Sequence, residues 1–209
     1  MTHQHQPQAP SATEAIDAPV YPEALRLLES RRTLPLRSLA GPGPTPEELR
    51  RLLTIAARVP DHGRLAPWRF IVIEGRARET FGRRVDARYA EANPDLPAIK
   101  ADMWTAYMLR APVTIVLVSR PDPLSKISVF EQELSAGAAG MALTVAAHAM
   151  GFATHWLLKW PGKDPAATSL LGIGETEKVA GFIHLGRPAE VPADRPRPAL
   201  EDVVTYWDE

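Results

Sequence analysis

The chain has 209 residues, 45% of them hydrophobic, and a formal net charge of −1. That length and content suit one domain with a real core, and the charge leaves no field to draw the protein to nucleic acid or an anionic membrane. With no cysteine, disulfides, thiolate metal sites and a cysteine nucleophile are excluded, and the composition fits the cytoplasm.

Residues 1–19 are rich in Gln, Pro, Ala and His, and lack the basic start and apolar centre of a signal peptide. They read as a disordered tail ahead of a single domain over 20–209. His3 and His5 in that tail read as solvated side chains. A first helix is expected from Pro22 to about Arg32, with Leu25, Leu28 and the Arg32 stem on one face. Leu34-Pro35 and the Gly41–Pro44 run then break regular structure. Thr45-Pro46-Glu47-Glu48 starts a capped helix that ends near Val59-Pro60 and places Leu49, Leu52, Leu53 and Ala56 on one side.

Phe70–Ile73 reads as a strand, Arg76–Ala92 as an exposed amphipathic helix, and Ala98–Arg110 as a further helix. Val113–Ser119 is the clearest buried strand. Ser128–Met150 is the longest helix, and its second half is apolar nearly all round, which implies burial on most sides. Gly137 and Gly140 cost helix propensity there, so close approach of a backbone or a flat ligand is expected, with plain tight packing as the alternative. Gly151-Phe152 ends the helix, and an extended stretch runs from Ala153 to Leu158. A short helix over Asp164–Leu171 and a strand over Lys178–Leu185 follow. The last part, about 187–209, is a Pro- and Arg-rich arm with an apolar end at Val203–Trp207, as if made to dock on a second subunit. No run is apolar and long enough to span a bilayer.

The familiar reactive patterns are missing. There is no Gly-x-Ser-x-Gly elbow, no His-Glu-x-x-His, no Walker loop and no Gly-x-Gly-x-x-Gly. His148, His155 and His184 lack metal-ligand spacing, so no metal site is expected. Arginines number 19 against 5 lysines, a bias that a GC-rich coding sequence also produces, so a lone arginine carries little weight. Arg31-Arg32-Thr33 is different, because paired guanidinium forks beside a hydroxyl suit a phosphate.

The order of motifs is more specific than any one of them. Arg-Arg-Thr is followed by Arg58-Val-Pro60-Asp61-His62 and Pro67-Trp68. Then come Glu131-Gln132-Glu133-x-Ser135-Ala136-Gly137, Gly151-Phe152 with Trp156, and Gly181–Pro188. This succession resembles the FMN-dependent nitroreductase family, in its small branch with Pro-Asp-His before Pro-Trp, over roughly Glu23 to Tyr206. The resemblance implies an α+β fold, with a central, mostly antiparallel sheet flanked by helices and a C-terminal arm exchanged in a homodimer. It implies FMN as cofactor, NADH or NADPH as reductant, and a flat small-molecule acceptor such as a nitroaromatic or quinone. No protein nucleophile is then required, since the flavin carries the chemistry. Flavin fragmentation, reductive dehalogenation and a non-catalytic flavin-binding module are the alternatives.

Carried over by motif, Arg31, Arg32 and Thr33 hold the phosphate and ribityl chain. Arg58 and His62 reach FMN from the neighbouring subunit. Trp156, Leu157 and Leu158 lie along the flavin, and Arg195 and Arg197 reach the phosphate. Ala146, Ala147, His148, Ala149, Met150 and Gly151 match a stretch that contacts the nicotinamide cofactor. Trp68 reads as a core anchor, and Glu131-Gln132-Glu133 as a helix-surface run with some structural hydrogen bonding rather than an acid/base pair. The chain departs from the wider family at Pro35, where a Lys or Arg often stands near the flavin, and at Arg64 and Ala66, which replace Asn and Gln before Pro-Trp. Arg58, Arg64 and Arg37 are the candidate replacements for the missing cation.

Overall fold

The computed structural model describes residues 18–95 and 97–207; His3, His5 and most of the tail lie outside them. The elements, in chain order, are α1 (Pro22–Ser30), β1 (Leu39–Ala40), α2 (Pro46–Ala56), β2 (Trp68–Glu74), α3 (Arg76–Ala92) and α4 (Met103–Leu109). They continue with β3 (Val113–Ser119), α5 (Val129–Ala149), β4 (Ala153–Leu157), α6 (Pro165–Ser169) and β5 (Lys178–Pro188).

All strand pairs are antiparallel and β5 is the hub. It pairs with β3 along one edge, from Lys178 to Leu185. It pairs with β4 from Phe182 to Gly186, and with β1 at Arg187 and Pro188. β2 completes the sheet on the far side of β3. β3 is buried at every position, because each of its faces meets a different helix layer. Val113, Ile115 and Leu117 pack toward α2 and α5, while Val116 and Val118 pack with Phe81 and Val85 of α3 and Trp104 and Met108 of α4. Strand alternation therefore divides one apolar run between two cores. This is the expected α+β architecture, a sheet between helices.

The cap read from sequence is present at the start of α2, and a second one, not singled out there, opens α5. Thr45 accepts from the Glu48 backbone N–H while the Glu48 carboxylate accepts from the Thr45 N–H. Ser128 and Glu131 form the same reciprocal box at the start of α5, which satisfies backbone donors that the first turn leaves free. Trp68 is 6% exposed and anchors the core as expected.

Several expectations change. α1 stops at Ser30 rather than Arg32: the Arg31 N–H closes the last turn on the Leu27 carbonyl, and the chain then runs extended so that Leu34 can donate to the Thr154 carbonyl of β4. Leu34, Leu36 and Leu39 become buried with Ala111 and Ala153, so the segment read as merely broken forms a small core and leads into β1. α1 buries none of its residues, and Leu25 and Leu28 stay more than half exposed. The helix expected over Ala98–Arg110 is split into a 3-10 turn at Ala98–Lys100 and α4. Buried Asp86 causes the restart, accepting from the Trp104 N–H (2.8 Å), the Thr105 N–H (3.0 Å) and the Thr105 hydroxyl (2.6 Å). It caps α4 from another helix. Gln132, assigned to a surface run, is 2% exposed, and its amide ties down the Asp122 and Ile127 backbone.

Gly140 accommodates a side chain rather than a backbone or ligand. A Cβ there would lie 2.3 Å from the Trp156 ring, and one on Gly181 would lie 2.1 Å from Trp156 Nε1. The indole of β4 is thus held between two glycines. Gly137 faces open space, with nothing within 4 Å.

Candidate functional site

The extended segment after α1 lies over β4, and the chain leaving β5 returns to it. Together they enclose a cavity of about 610 Å³ whose lining includes Arg31, Arg32, Thr33, Pro35, His155, Glu190, Arg195 and Arg197. That is within the size range of small-molecule sites. Sequence positions more than 160 residues apart are joined directly, since Arg32 donates to the Ala193 carbonyl and to Asp194 Oδ1 at 3.1 Å. Arg197 approaches the same carboxylate at 3.5 Å, and the Arg195 backbone N–H donates to it at 2.8 Å.

The charge inventory suits an anionic ligand. Four guanidinium groups line the cavity. Two carboxylates face them: Asp194 takes Arg32 and Arg197, and Glu190 accepts from the Ser38 hydroxyl. Arg31 and Arg195 have no carboxylate partner among the described residues. Partial burial, followed by the repulsion of Arg197, Arg195 and Arg32, holds the Arg31 guanidinium below its ordinary pKa. The excess of two positive charges matches a phosphate monoester, which carries about −1.5 to −2 at neutral pH. Arg31, Arg32, Thr33, Arg195 and Arg197 therefore fit the phosphate of FMN as a donor set.

The other residues singled out by sequence lie elsewhere around the fold. Trp156 points toward α5, and its Nε1 donates to the Ala180 carbonyl at 3.2 Å. Leu157 pairs with Phe182, and Leu158 is 39% exposed beside Gly162. Ala146 and Ala147 are core residues. The Met150 and Gly151 carbonyls accept from Arg187, whose guanidinium also sits 3.9 Å above the Phe152 ring. Of the Ala146–Gly151 stretch, His148 lines a cavity, an adjoining one of about 240 Å³ that shares Arg31 and Arg32. Burial, and secondarily Arg31, pushes His148 down to about 4, so it is neutral.

Arg58 and His62 belong to a separate, tightly tied loop. Asp61 accepts from the Leu65 and Ala66 N–H groups at 3.0 and 2.9 Å. Ser135 donates to the Pro60 carbonyl and Arg120 to the Ala66 carbonyl. Arg64 and Ala66 are held at φ 56° and 45°, conformations that non-glycine residues adopt at a cost of about 1–3 kcal/mol and that cluster at functional sites. His62 Nδ1 lies 3.2 Å from Glu131 Oε1, in the first turn of α5. The arginine cavity adjoins His148, at the other end of the same helix. Glu131 and His148 are 17 helical steps apart, about 25 Å of rise, so one copy of the chain does not bring the two groups together.

Sequence reasoning missed His155, Glu190 and Asp194. Glu190 and Asp194 sit in a Pro-rich run without periodicity, although an acidic residue beside Arg195 and Arg197 was a usable signal. His155 had been considered only as a metal ligand. Among the described residues no group of three His, Cys, Asp or Glu could hold a metal ion, and no helix is long and apolar enough to cross a membrane.

The model of the nitroreductase family matches residues 28–187, which takes in the Arg31–Pro35 and His155 wall of the cavity but not the Glu190–Arg197 wall. The chain belongs to the nitroreductase family. YdjA of Escherichia coli (strain K12), provisionally named an NAD(P)H nitroreductase, is 38% identical over 166 residues, covering 79% of this chain and 88% of that one. Among solved structures, a nitroreductase-like family protein from Bacillus cereus aligns with a TM-score of 0.79 at 18% identity, over 93% of this chain and 100% of that one. A mutant of the nitroreductase NfnB from sphigopyxis sp. strain HMH, described as FMN- and NADPH-dependent, aligns at 0.68 with 19% identity, over 88% and 98%. At such identities these two structures speak for the fold.

Proposed function

We propose that this chain is an FMN-dependent oxidoreductase that takes hydride from NADH or NADPH and reduces a flat acceptor such as a nitroaromatic or quinone. It does so as a homodimer in the cytoplasm. The observation that carries the reading is the convergence of Arg31, Arg32, Thr33, Arg195 and Arg197 on one cavity with two positive charges to spare. When bound, FMN supplies the redox chemistry, accepting hydride from the nicotinamide and returning the electrons to an acceptor that takes the nicotinamide's place.

The protein's part is binding and placement. Arg31 and Arg195, which lack carboxylate partners among the described residues, neutralise the phosphate, and the Thr33 hydroxyl donates beside them. Trp156, Leu157 and Leu158 follow His155 along β4 but line none of that cavity, and the Trp156 indole stays packed between Gly140 and Gly181. Arg58 and His62 complete the site from a second copy, because the length of α5 keeps them away from their own cavity. The second copy also covers apolar surface that this chain leaves open. Leu25 and Leu28 of α1 are 53% and 55% exposed, and Phe130, Leu134 and Met141 of α5 are 68%, 57% and 41% exposed. The arm's first half, Glu190–Arg197, stays on its own cavity, and its apolar end from Leu200 to Trp207 is free to reach the partner.

The test is a reconstitution. Purified protein is mixed with FMN, its absorbance spectrum and light scattering are recorded, and NADH or NADPH is added anaerobically. Bleaching of bound flavin in a dimer is the expected result. Bound FAD, no flavin affinity, or a stable flavin-loaded monomer would each overturn a stated part of the reading.

A further inference from the structure

The sheet brings one more ionisable group to the arginine cavity. His155 lies on β4, half-buried, and its ring lines the same cavity as Arg31, Pro35 and Arg195. Its Nδ1 is 2.6 Å from the Leu34 carbonyl oxygen. A carbonyl can only accept, so Nδ1 carries the hydrogen, and Nε2 is a bare acceptor in the neutral ring and a donor in the charged one. Nε2 has no hydrogen-bond partner among the described residues. The carbonyl that orients this ring belongs to the residue just before Pro35, which itself offers neither charge nor N–H.

The surroundings explain why a titrating group suits this place better than a permanent cation. Arg31, Arg32, Arg195 and Arg197 already crowd the cavity against Glu190 and Asp194. His148 lines the adjoining cavity. Behind the ring, His184 faces His155 across the β4–β5 pair and hydrogen-bonds Thr114 through Nδ1. Burial, and then the nearby His155, push His184 down to about 3, so it stays neutral. A fifth fixed positive charge would repel the four arginines at all times. A histidine need be charged only when negative charge arrives.

We propose that His155 is the switchable cation of this cavity: its Nε2 contacts the bound flavin and takes up a proton as the flavin is reduced, in place of the permanent charge that Pro35 excludes. The balance is complete. NAD(P)H gives two electrons and one proton as hydride, which leaves the flavin ring with one negative charge, and a second proton passes from water to Nε2. When the acceptor is reduced it takes two electrons and two protons, and both partners return to neutrality.

This inference rests on the FMN reading above, which quenching of FMN fluorescence by the wild-type protein tests by itself. The specific test is the flavin midpoint potential of FMN-loaded wild type, His155→Asn and His155→Lys at about pH 6 and about pH 9. Asn keeps an N–H for the Leu34 carbonyl and removes Nε2; Lys supplies a charge that persists. At the lower pH, wild type should match Lys and prefer reduced FMN about tenfold more than Asn does, a gap of about 30 mV for a two-electron couple. At the higher pH, wild type should fall to the Asn value while Lys stays above both. A gap between wild type and Asn that is absent, or equal at both pH values, overturns the proposal. Should the variants not hold FMN, ¹⁵N histidine spectra of wild type decide it: Nε2 protonated on reduction supports the proposal, and a neutral ring in both states overturns it.

Discussion

Gly140→Ala sets helix propensity against tertiary packing. Alanine is about 1 kcal/mol better than glycine within a helix, so α5 in isolation would gain. In the folded protein the new Cβ would meet three Trp156 ring atoms, at 2.3, 2.7 and 2.8 Å. Ordinary carbon contacts begin near 3.5 Å, so the ring would have to retreat by about 1 Å. It has nowhere to go, because its other edge lies against Gly181 and its Nε1 is bonded to the Ala180 carbonyl. Overpacking costs about 1–3 kcal/mol and a strained indole hydrogen bond adds about 1 kcal/mol. After the propensity gain, a net loss of about 1–3 kcal/mol remains, or roughly 3–10 °C in Tm for a chain of this size. Thermal melts followed by tryptophan fluorescence measure it. FMN affinity should fall with it, since Trp156 and His155 are neighbours on β4. A Gly140→Ala protein as stable as wild type, or more so, would refute the argument that this glycine is kept for Trp156.

Three further outcomes follow from the same contacts. Arg31→Ala should weaken FMN binding by about 1.5–3 kcal/mol, the range for a hydrogen bond to a charged group, while riboflavin affinity changes little; equal loss for both ligands in a fluorescence titration would remove Arg31 from the phosphate. Asp86→Ala strips two α4 N–H groups and a hydroxyl of their acceptor, and should cost about 2–4 kcal/mol, with α4 amides losing hydrogen-exchange protection before β3 amides do. On acidification, unfolded imidazoles take protons near pH 6.5, whereas His148 and His184 in the fold take them only near about 4 and about 3. The unfolded state then binds more protons, so stability should fall steadily as pH drops below about 6.5. The Arg69–Glu177 pair acts later: its hydrogen bonds hold Glu177 down at about 2, so its contribution persists above the ordinary carboxylate range and is lost only as pH falls toward 2. Denaturant midpoints between about pH 8 and pH 5 therefore report the two histidines, and a midpoint that rises on acidification would contradict their burial as neutral rings.

What the sequence determined by itself was everything set by neighbours along the chain. The Thr45 and Ser128 caps lie three residues from their glutamates, the apolar run of β3 is continuous, and the turn after α5 is marked by glycine. The paired guanidinium and hydroxyl groups of Arg31–Thr33 were also legible, because side-chain chemistry does not depend on the fold. The rest waited for contacts between distant segments. Pairing of Leu34 with β4 stops α1 two residues early, and Asp86 restarts the chain at α4; each is one side chain or carbonyl acting across the core on backbone that local propensity would have left helical. The partner of Gly140 was invisible because packing volume is a property of two elements, and the indole comes from the strand after the turn. His155 lines the cavity only because β4 lies beside the segment after α1, where the Leu34 carbonyl takes one of its imidazole nitrogens. Such a placement has no period, spacing or composition to announce it, since it is decided by which strands the sheet puts side by side.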